Sequence, residues 1–250
     1  MEEKNLSLIA KSLIALAIVL SAAILGSAYK YKYVSTETIS TTGLAEKEFS
    51  SDLVVWSAEF STKAMDKKEA FNNLKKDQTK IKNYLVNKGI SEAEIIFSSI
   101  NVEAITKSIR NYKNNGDYSE ESEFDGYKLT QSFNIESKSL DIIEKTAREI
   151  TQLLEEGISI EPSVPNYYYT KLEDLKITLI ANATENATSR AKNIAEKGNS
   201  TLGSLKNATM GVFQITGKTS SEEFSWGGVY NTTDRNKKAS ITVKLEFGIK

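Results

Sequence analysis

The stretch FDGYKLTQSFNIESKSLDIIEKTAREITQLLEEG, residues 124–157, changes its hydrophobic period halfway along. Over Phe124 to Glu136, Tyr127, Leu129, Phe133 and Ile135 fall on one side of a two-residue alternation, which predicts a strand with one buried face. From Ser139 to Glu156 the apolar positions are Leu140, Ile143, Ala147, Ile150 and Leu154, the spacing of an amphipathic helix. Ser139 is placed to cap that helix and Gly157 to end it.

The same alternation of periods extends outward in both directions. Toward the amino terminus, Val54, Trp56, Ala58 and Phe60 alternate within a strand over Asp52 to Thr62. A helix follows over Asp66 to Lys88, with Phe71, Leu74, Ile81 and Leu85 as its apolar stripe and Gly89 as its stop. Glu94 to Ile105 reads as extended, with Ile96, Ile100, Val102 and Ala104 on one face, and Thr106 to Glu123 as a polar connection. Toward the carboxyl terminus, Ile158 to Tyr169 is extended but broken by Pro162 and Pro165. A third helix spans Lys171 to Lys197, where Ala183, Ala187, Ala191 and Ala195 recur every four residues, a row of small side chains that permits close approach to a neighbour. Strands over Leu205 to Thr216 and Ala239 to Ile249 enclose a long loop, Gly217 to Lys238. The expected fold class is therefore α+β: a ferredoxin-like βαββαβ order extended by a long third helix and two C-terminal antiparallel strands.

A transmembrane helix is expected to precede this domain. Leu13 to Ala28 carries no charge, and Leu13, Ile14, Leu16, Ile18, Val19, Leu20, Ile24 and Leu25 supply its apolar surface. Sixteen or so uncharged residues are short for a span, which takes about 20, but Lys11 can extend its ammonium to the interface. Tyr29, Tyr31 and Tyr33, mixed with Lys30 and Lys32, resemble an interfacial belt. Hydropathy leaves two readings open: a retained signal anchor, or a signal peptide cleaved at the small-x-small triplet Gly26-Ser27-Ala28. The short preceding tail favours an inside amino terminus with the bulk of the chain outside. The expected division is an anchor over 1–28, a linker over 29–37 and an exported domain over 38–250.

Composition excludes several chemistries. The chain has no Cys and no His, which removes thiol nucleophiles, the usual zinc sites, His-ligated haem and His-based proton relays. A formal net charge of −1 leaves no basic excess to neutralise phosphates, so nucleic acid is not an expected partner. The helix around Lys63 to Lys82 mixes Lys with Asp66, Glu69 and Asp77 and reads as a solvated face.

Several segments together resemble the SIMPL-domain family of exported bacterial and archaeal proteins. They are Thr42-Gly43-Leu44-Ala45-Glu46, the strand Asp52-Leu53-Val54-Val55-Trp56, the helix end Leu85-Val86-Asn87-Lys88-Gly89-Ile90, Gly126 to Phe133, and the Ala-rich helix that runs into Leu202-Gly203. The likeness covers about residues 38–249 and is similar to the anchored subgroup, which favours retention of the apolar segment. The resemblance implies export to the periplasm or cell surface, homo-oligomer formation and an association with envelope or oxidative stress. It brings no catalytic residues, and it implies backbone roles for Gly43 and Gly126.

Candidate sites are sparse, and no cofactor is expected. Asp117, Glu120, Glu121, Glu123 and Asp125 form an acidic cluster that reads as a solvated loop, with a weak calcium site as the alternative. Ser189 and Lys192 form an S-x-x-K pair in mid-helix without an oxyanion hole, and read as chance. Asn182, Asn186, Asn199, Asn207 and Asn231 begin N-x-S/T sequons in a chain rich in those residues. Phe224, Trp226 and Tyr230 lie on the long loop; they are candidates for an interface or ligand contact, or they fold back on their own domain. Tyr167 and Tyr168 within PNYYY form a second such patch, with edge-strand packing as the alternative. The expected function is non-enzymatic: a membrane-anchored protein whose domain self-assembles as a scaffold or ring, its protein partners otherwise unknown. The alternative is a small-ligand or lipid binding module built on the 217–238 loop.

Overall fold

The computed structural model describes residues 2–34, 37–112 and 118–249. The elements are α1 (Glu2–Val34), β1 (Thr38–Ser50), β2 (Leu53–Ala64), α2 (Lys67–Asn87), β3 (Ile95–Phe97), β4 (Asn101–Tyr112), β5 (Tyr118–Ser137), α3 (Leu140–Glu149), β6 (Ser159–Pro162), β7 (Asn166–Tyr168), α4 (Leu172–Lys197), β8 (Leu202–Met210), β9 (Gln214–Gly217), β10 (Val229–Tyr230) and β11 (Asn236–Ile249).

Within α1, Lys11–Tyr31 is long and apolar enough to cross a membrane, and its side chains are exposed. The helix continues through Tyr29 to Val34, where the sequence predicts a linker. Alternating Tyr and Lys permit helix as readily as coil.

The βαββαβ order closes as expected. Its sheet runs β3-β5-β2-β6, with β4 also on β5 and β7 also on β2. The two helices cover one face, where Trp56, Phe60, Leu74, Ile81, Leu129, Phe133, Ile143 and Ile150 are buried together. Trp56 and Phe133 meet edge to face at 5.4 Å, a favoured ring geometry, and the indole N–H donates to the Ser163 carbonyl at 3.1 Å.

Three expectations about this unit change. Phe71 is 42% exposed and Ala70 takes the buried place in the α2 stripe. The segment from Glu94 to Ile105 is two strands, with Ile95, Phe97 and Ile100 against the core while Ile96 and Val102 are exposed. The break at Ser98 and Ser99 shifts the alternation, so the single phase over 94–105 is right at Ile100 and wrong at Ile96, and beyond the break Val102 and Ala104 are exposed. The helix predicted to Glu156 tightens at Ile150 into a 3₁₀ run, which buries Leu153 and exposes Leu154; about three residues per turn advance the buried face faster than an α-helix does.

The long third helix and the C-terminal strands form a second sheet with its own core, β1-β11-β9-β10, with β8 also on β11. The sequence reading assigns no strand to 38–50, yet β1 pairs antiparallel with β11 from Thr38↔Gly248 to Ser50↔Asn236. Its inward residues Thr41, Gly43 and Ala45 are too small to show a hydrophobic alternation. They face the alanine row of α4, where Ala183, Ala187 and Ala191 are buried. A Cβ on Gly43 would stand 2.0 Å from the Ala183 carbonyl oxygen and 2.6 Å from the Ala187 nitrogen, so helix and strand touch backbone to backbone there. Gly126, at φ +110, is likewise closed to a Cβ, with the Ala64 carbonyl oxygen 2.6 Å away.

The two units meet at the β1–β2 crossing. Ser51 N–H donates to the Arg235 carbonyl at 2.9 Å and Asp52 N–H to the Tyr168 carbonyl at 3.0 Å. The Asp52 carboxylate accepts both the Thr170 N–H and hydroxyl at 2.7 Å. Arg235 reaches Asp141 at 2.5 Å and Glu144 at 3.3 Å on α3.

Candidate interaction surface

α4 covers one face of the β1/β11 sheet and leaves the other open. On that open face Thr42, Leu44, Thr242 and Lys244 are exposed, and the register sets Leu44 beside Thr242 and Thr42 beside Lys244. The loop between β9 and β11 rises beside this face. Its aromatic side chains do not fold back: Phe224 is 64% exposed and Trp226 is 100% exposed.

The loop is nevertheless held in place. The Gln214 side chain clamps Ser225 twice, its Nε2 donating to the Ser225 carbonyl at 2.7 Å and its Oε1 accepting the Ser225 N–H at 3.3 Å. Ser225 sits between Phe224 and Trp226, so this clamp fixes the backbone that carries both rings. Gly228 N–H closes the turn on the Ser225 carbonyl at 3.0 Å. Behind the turn, β10 pairs parallel with β9, Val229 with Gln214 and Tyr230 with Ile215.

A buried polar knot secures the loop's base. Lys237 is 1% exposed. Its ammonium donates to the Asn231 carbonyl at 2.5 Å and to Asn231 Oδ1 at 3.3 Å. Asn231 Nδ2 donates in turn to Glu222 at 2.7 Å and Asp234 at 2.9 Å. Burial pulls the Lys237 amine down to about 8, against the opposing pull of Asp234 and Glu222. The bond from Asn231, with others from Gly217 and Ser220, holds the Glu222 carboxyl below its ordinary range. Every polar group in the knot has a partner, which is the condition for a buried network to rigidify a structure.

Leu44, Met210, Val212, Phe224 and Trp226 line a groove of about 590 Å³, together with the polar Gln214, Ser225, Ser240 and Thr242. The sequence reading singles out Phe224 and Trp226, and the fold adds Leu44, Met210 and Val212, which are distant in the chain and had no local signal. Tyr230 is 46% exposed but does not line the groove, and burial with the nearby Tyr168 raises its phenol pKa. Tyr167 and Tyr168 lie on β7, which pairs with β2 through Val54 and Leu53. Tyr167 packs against the first core, and burial, with Glu144 beside it, pushes its phenol up to about 12. Both are half-buried at the junction of the units, in the packing role that was the alternative for this patch.

Several of the remaining polar candidates are engaged with their own chain. Asp117 lies outside the described residues. Glu120 pairs with Arg110 at 2.6 Å and Glu123 with Lys107 at 3.2 Å across the β4–β5 hairpin, which runs on as two strands where a polar connection is expected. Asp125 meets Lys63 at 2.5 Å, and that bond lowers its pKa. Ser189 is exposed, and Lys192 points to Glu196 at 3.9 Å. Asn231 is buried in the knot, and Asn186 Oδ1 accepts the Leu44 N–H at 3.4 Å.

The model of the SIMPL family, described as a protein of unknown function (DUF541), matches residues 39–246. No curated protein matches the chain.

Proposed function

The chain belongs to the SIMPL family, and from that premise we propose that it is a non-enzymatic, membrane-anchored protein whose exported domain assembles with further copies of itself through the open face of the β1/β11 sheet. The observation that carries this reading is Trp226, fully exposed on a loop that is clamped rather than loose. A contiguous apolar patch on a fixed backbone favours association, because the ordering cost of binding is largely met before a partner arrives. Aromatic side chains are the usual anchors of such contacts.

The helix Lys11–Tyr31 supports the membrane half of the proposal. Retained as an anchor, it holds the domain on the outer side, in periplasm or at the cell surface, and confines copies to one plane where weak contacts add up. The chemistry of the chain supports the non-enzymatic half. It has neither His nor Cys, and Glu120, Glu123 and Asp125 are each tied to a cation. A link to envelope or oxidative stress would then act through assembly, since thiol chemistry is not open to this chain.

Two tryptophans make the proposal testable by fluorescence, because Trp56 is buried and Trp226 is exposed. In a Trp56→Phe variant of the full chain, Trp226 is the sole indole reporter. Acrylamide quenching of its emission is expected to fall as protein concentration rises in detergent. Full quenching at every concentration would contradict the proposal.

The groove itself favours a second reading, a site for a small apolar ligand or lipid tail. Its 590 Å³ lies within the range of small-molecule sites, and it combines apolar walls with Gln214, Ser225, Ser240 and Thr242. Quenching that falls on addition of lipid at constant low protein concentration would select this reading instead.

A further inference from the structure

The β4–β5 hairpin leaves its own sheet. The ladder between β2 and β5 ends at Ala64↔Tyr127, and beyond Gly126 β4 and β5 pair only with each other, from Thr106↔Phe124 to Tyr112↔Tyr118. Asp125 is the extra residue where the register shifts, and Gly126 beside it has φ +110, the arrangement of a bulge that bends a ribbon out of line. Seven paired positions make an arm of about 23 Å, at roughly 3.3 Å per residue. A two-stranded ribbon on its own is marginally stable in water. Across this one run the ion pairs Arg110–Glu120 and Lys107–Glu123, and Arg110 lies over the Tyr118 ring at 5.3 Å.

We propose that the arm of one copy lies across the open face of the β1/β11 sheet of the next, with Glu121 against Lys244 and Ile109 against Leu44. This rests on the assembly reading above and names what covers that face. One side of the arm carries Ile109 directly opposite Glu121, with Lys107 and Glu123 next along. Glu120, Glu123 and Asp125 each have a cation within their own chain, whereas the exposed Glu121 has no ion pair among the described residues. The open face offers the converse. Leu44↔Thr242 and Thr42↔Lys244 make Leu44 and Lys244 diagonal neighbours. Lys244 is exposed and also has no ion pair among the described residues, while Glu246 on the same face accepts from the Thr38 hydroxyl at 2.8 Å. Directly opposed Cβ atoms stand about 5 Å apart and diagonal ones about 7 Å. Each surface therefore presents one apolar and one charged group at similar spacing, with charges of opposite sign. A ribbon laid over Leu44 also meets Phe224 and Trp226, which line the groove with it. The arm belongs to the first unit and the face to the second, so each copy gives one and receives one. Such a head-to-tail contact forms a ring where its rotation closes. Anchors entering one bilayer set the axis of that ring along the membrane normal.

Because the chain has no native Cys, each introduced thiol reports alone. Glu121→Cys, Lys244→Cys and the double variant carrying both, each in the full chain, are extracted in mild detergent and mildly oxidised. The double variant is expected to give a ladder of covalent multimers, roughly tenfold above any product of either single variant, because an arm-to-face contact propagates from copy to copy. Charge reversal gives a second readout: Lys244→Glu is expected to weaken assembly about tenfold, and adding Glu121→Lys to restore it. Failure of that restoration would overturn the pairing of these two charges. If the native chain is oligomeric while the double variant gives no ladder, or if Lys244→Cys alone dimerises as strongly, the arm is not the occupant and the assembly reading stands. If the native chain keeps the single-chain mass at all concentrations, both fall.

Discussion

The two units of this molecule solve one packing problem in opposite ways. In the βαββαβ unit, helices stand off the sheet on large side chains, with Trp56, Phe60 and Phe133 fully buried between the layers. In the β1/β11 unit, α4 lies against β1 on alanines and on Gly43, which leaves no room for a methyl group. The first arrangement draws its stability from buried apolar area, about 25 cal/mol per Å². The second also buries apolar side chains, among them Leu179, Ile241 and Leu245, but where α4 crosses β1 at Gly43 it depends on backbone proximity and tolerates no added volume. The contrast extends to function. The first unit buries Trp56, Phe60 and Phe133, whereas the second keeps Phe224 and Trp226 outside and supports them with polar clamps.

Truncation should strike hardest in the first unit. Phe133→Ala is expected to cost about 3–5 kcal/mol, the usual range for emptying an aromatic core position, read as a lowered urea midpoint of the detergent-held chain. A loss below about 1 kcal/mol would erase the distinction between the cores. Enlargement should strike the second unit: Gly43→Ala is expected to destabilise by about 1–3 kcal/mol, because the nearest atoms are backbone of α4 and cannot swing aside.

The buried Lys237 sharpens the contrast through pH. Its folded pKa of about 8 lies below its ordinary 10.5. Between those values the unfolded chain binds more protons than the folded one, so stability rises with pH. Below about 8 the penalty of burying the charge is fully present, and it is relieved as pH climbs toward 10.5. The urea midpoint of the native chain, measured against that of Lys237→Met, should therefore increase from pH 7.5 to pH 9.5. A flat or falling difference would mean that the amine stays solvated. The smallest effect is expected at the junction. Arg235→Ala removes a partly exposed ion pair to α3 and should cost less than about 1 kcal/mol. Its value is qualitative: if two unfolding steps replace one, the units are separable.

The sequence disclosed the first unit well because large residues announce their face. Val54, Trp56, Ala58 and Phe60 alternate, and Leu140, Ile143 and Ile150 hold helical spacing. It failed where the face is built from small residues, as in β1, or where the phase shifts, as at Ser98 and Ser99. The alanine row of α4 was legible, but its partner strand was not, since Thr41, Gly43 and Ala45 show no hydrophobic alternation. Phe224 and Trp226 stood out as aromatics in a long loop. Their exposure was not legible, because it depends on Gln214 and on Lys237, whose roles appear only once β9 and β11 are side by side.

The central claim, self-assembly through the open face of the β1/β11 sheet and the aromatic loop beside it, is tested most directly by the mass of the intact particle extracted in mild detergent. The native chain is expected at a multiple of 27.7 kDa after correction for detergent. The double variant Phe224→Ser, Trp226→Ser should move to the single-chain mass with an unchanged far-ultraviolet circular dichroism spectrum. A native chain that stays at the single-chain mass at all concentrations, or a double variant that keeps the native mass, would contradict the claim.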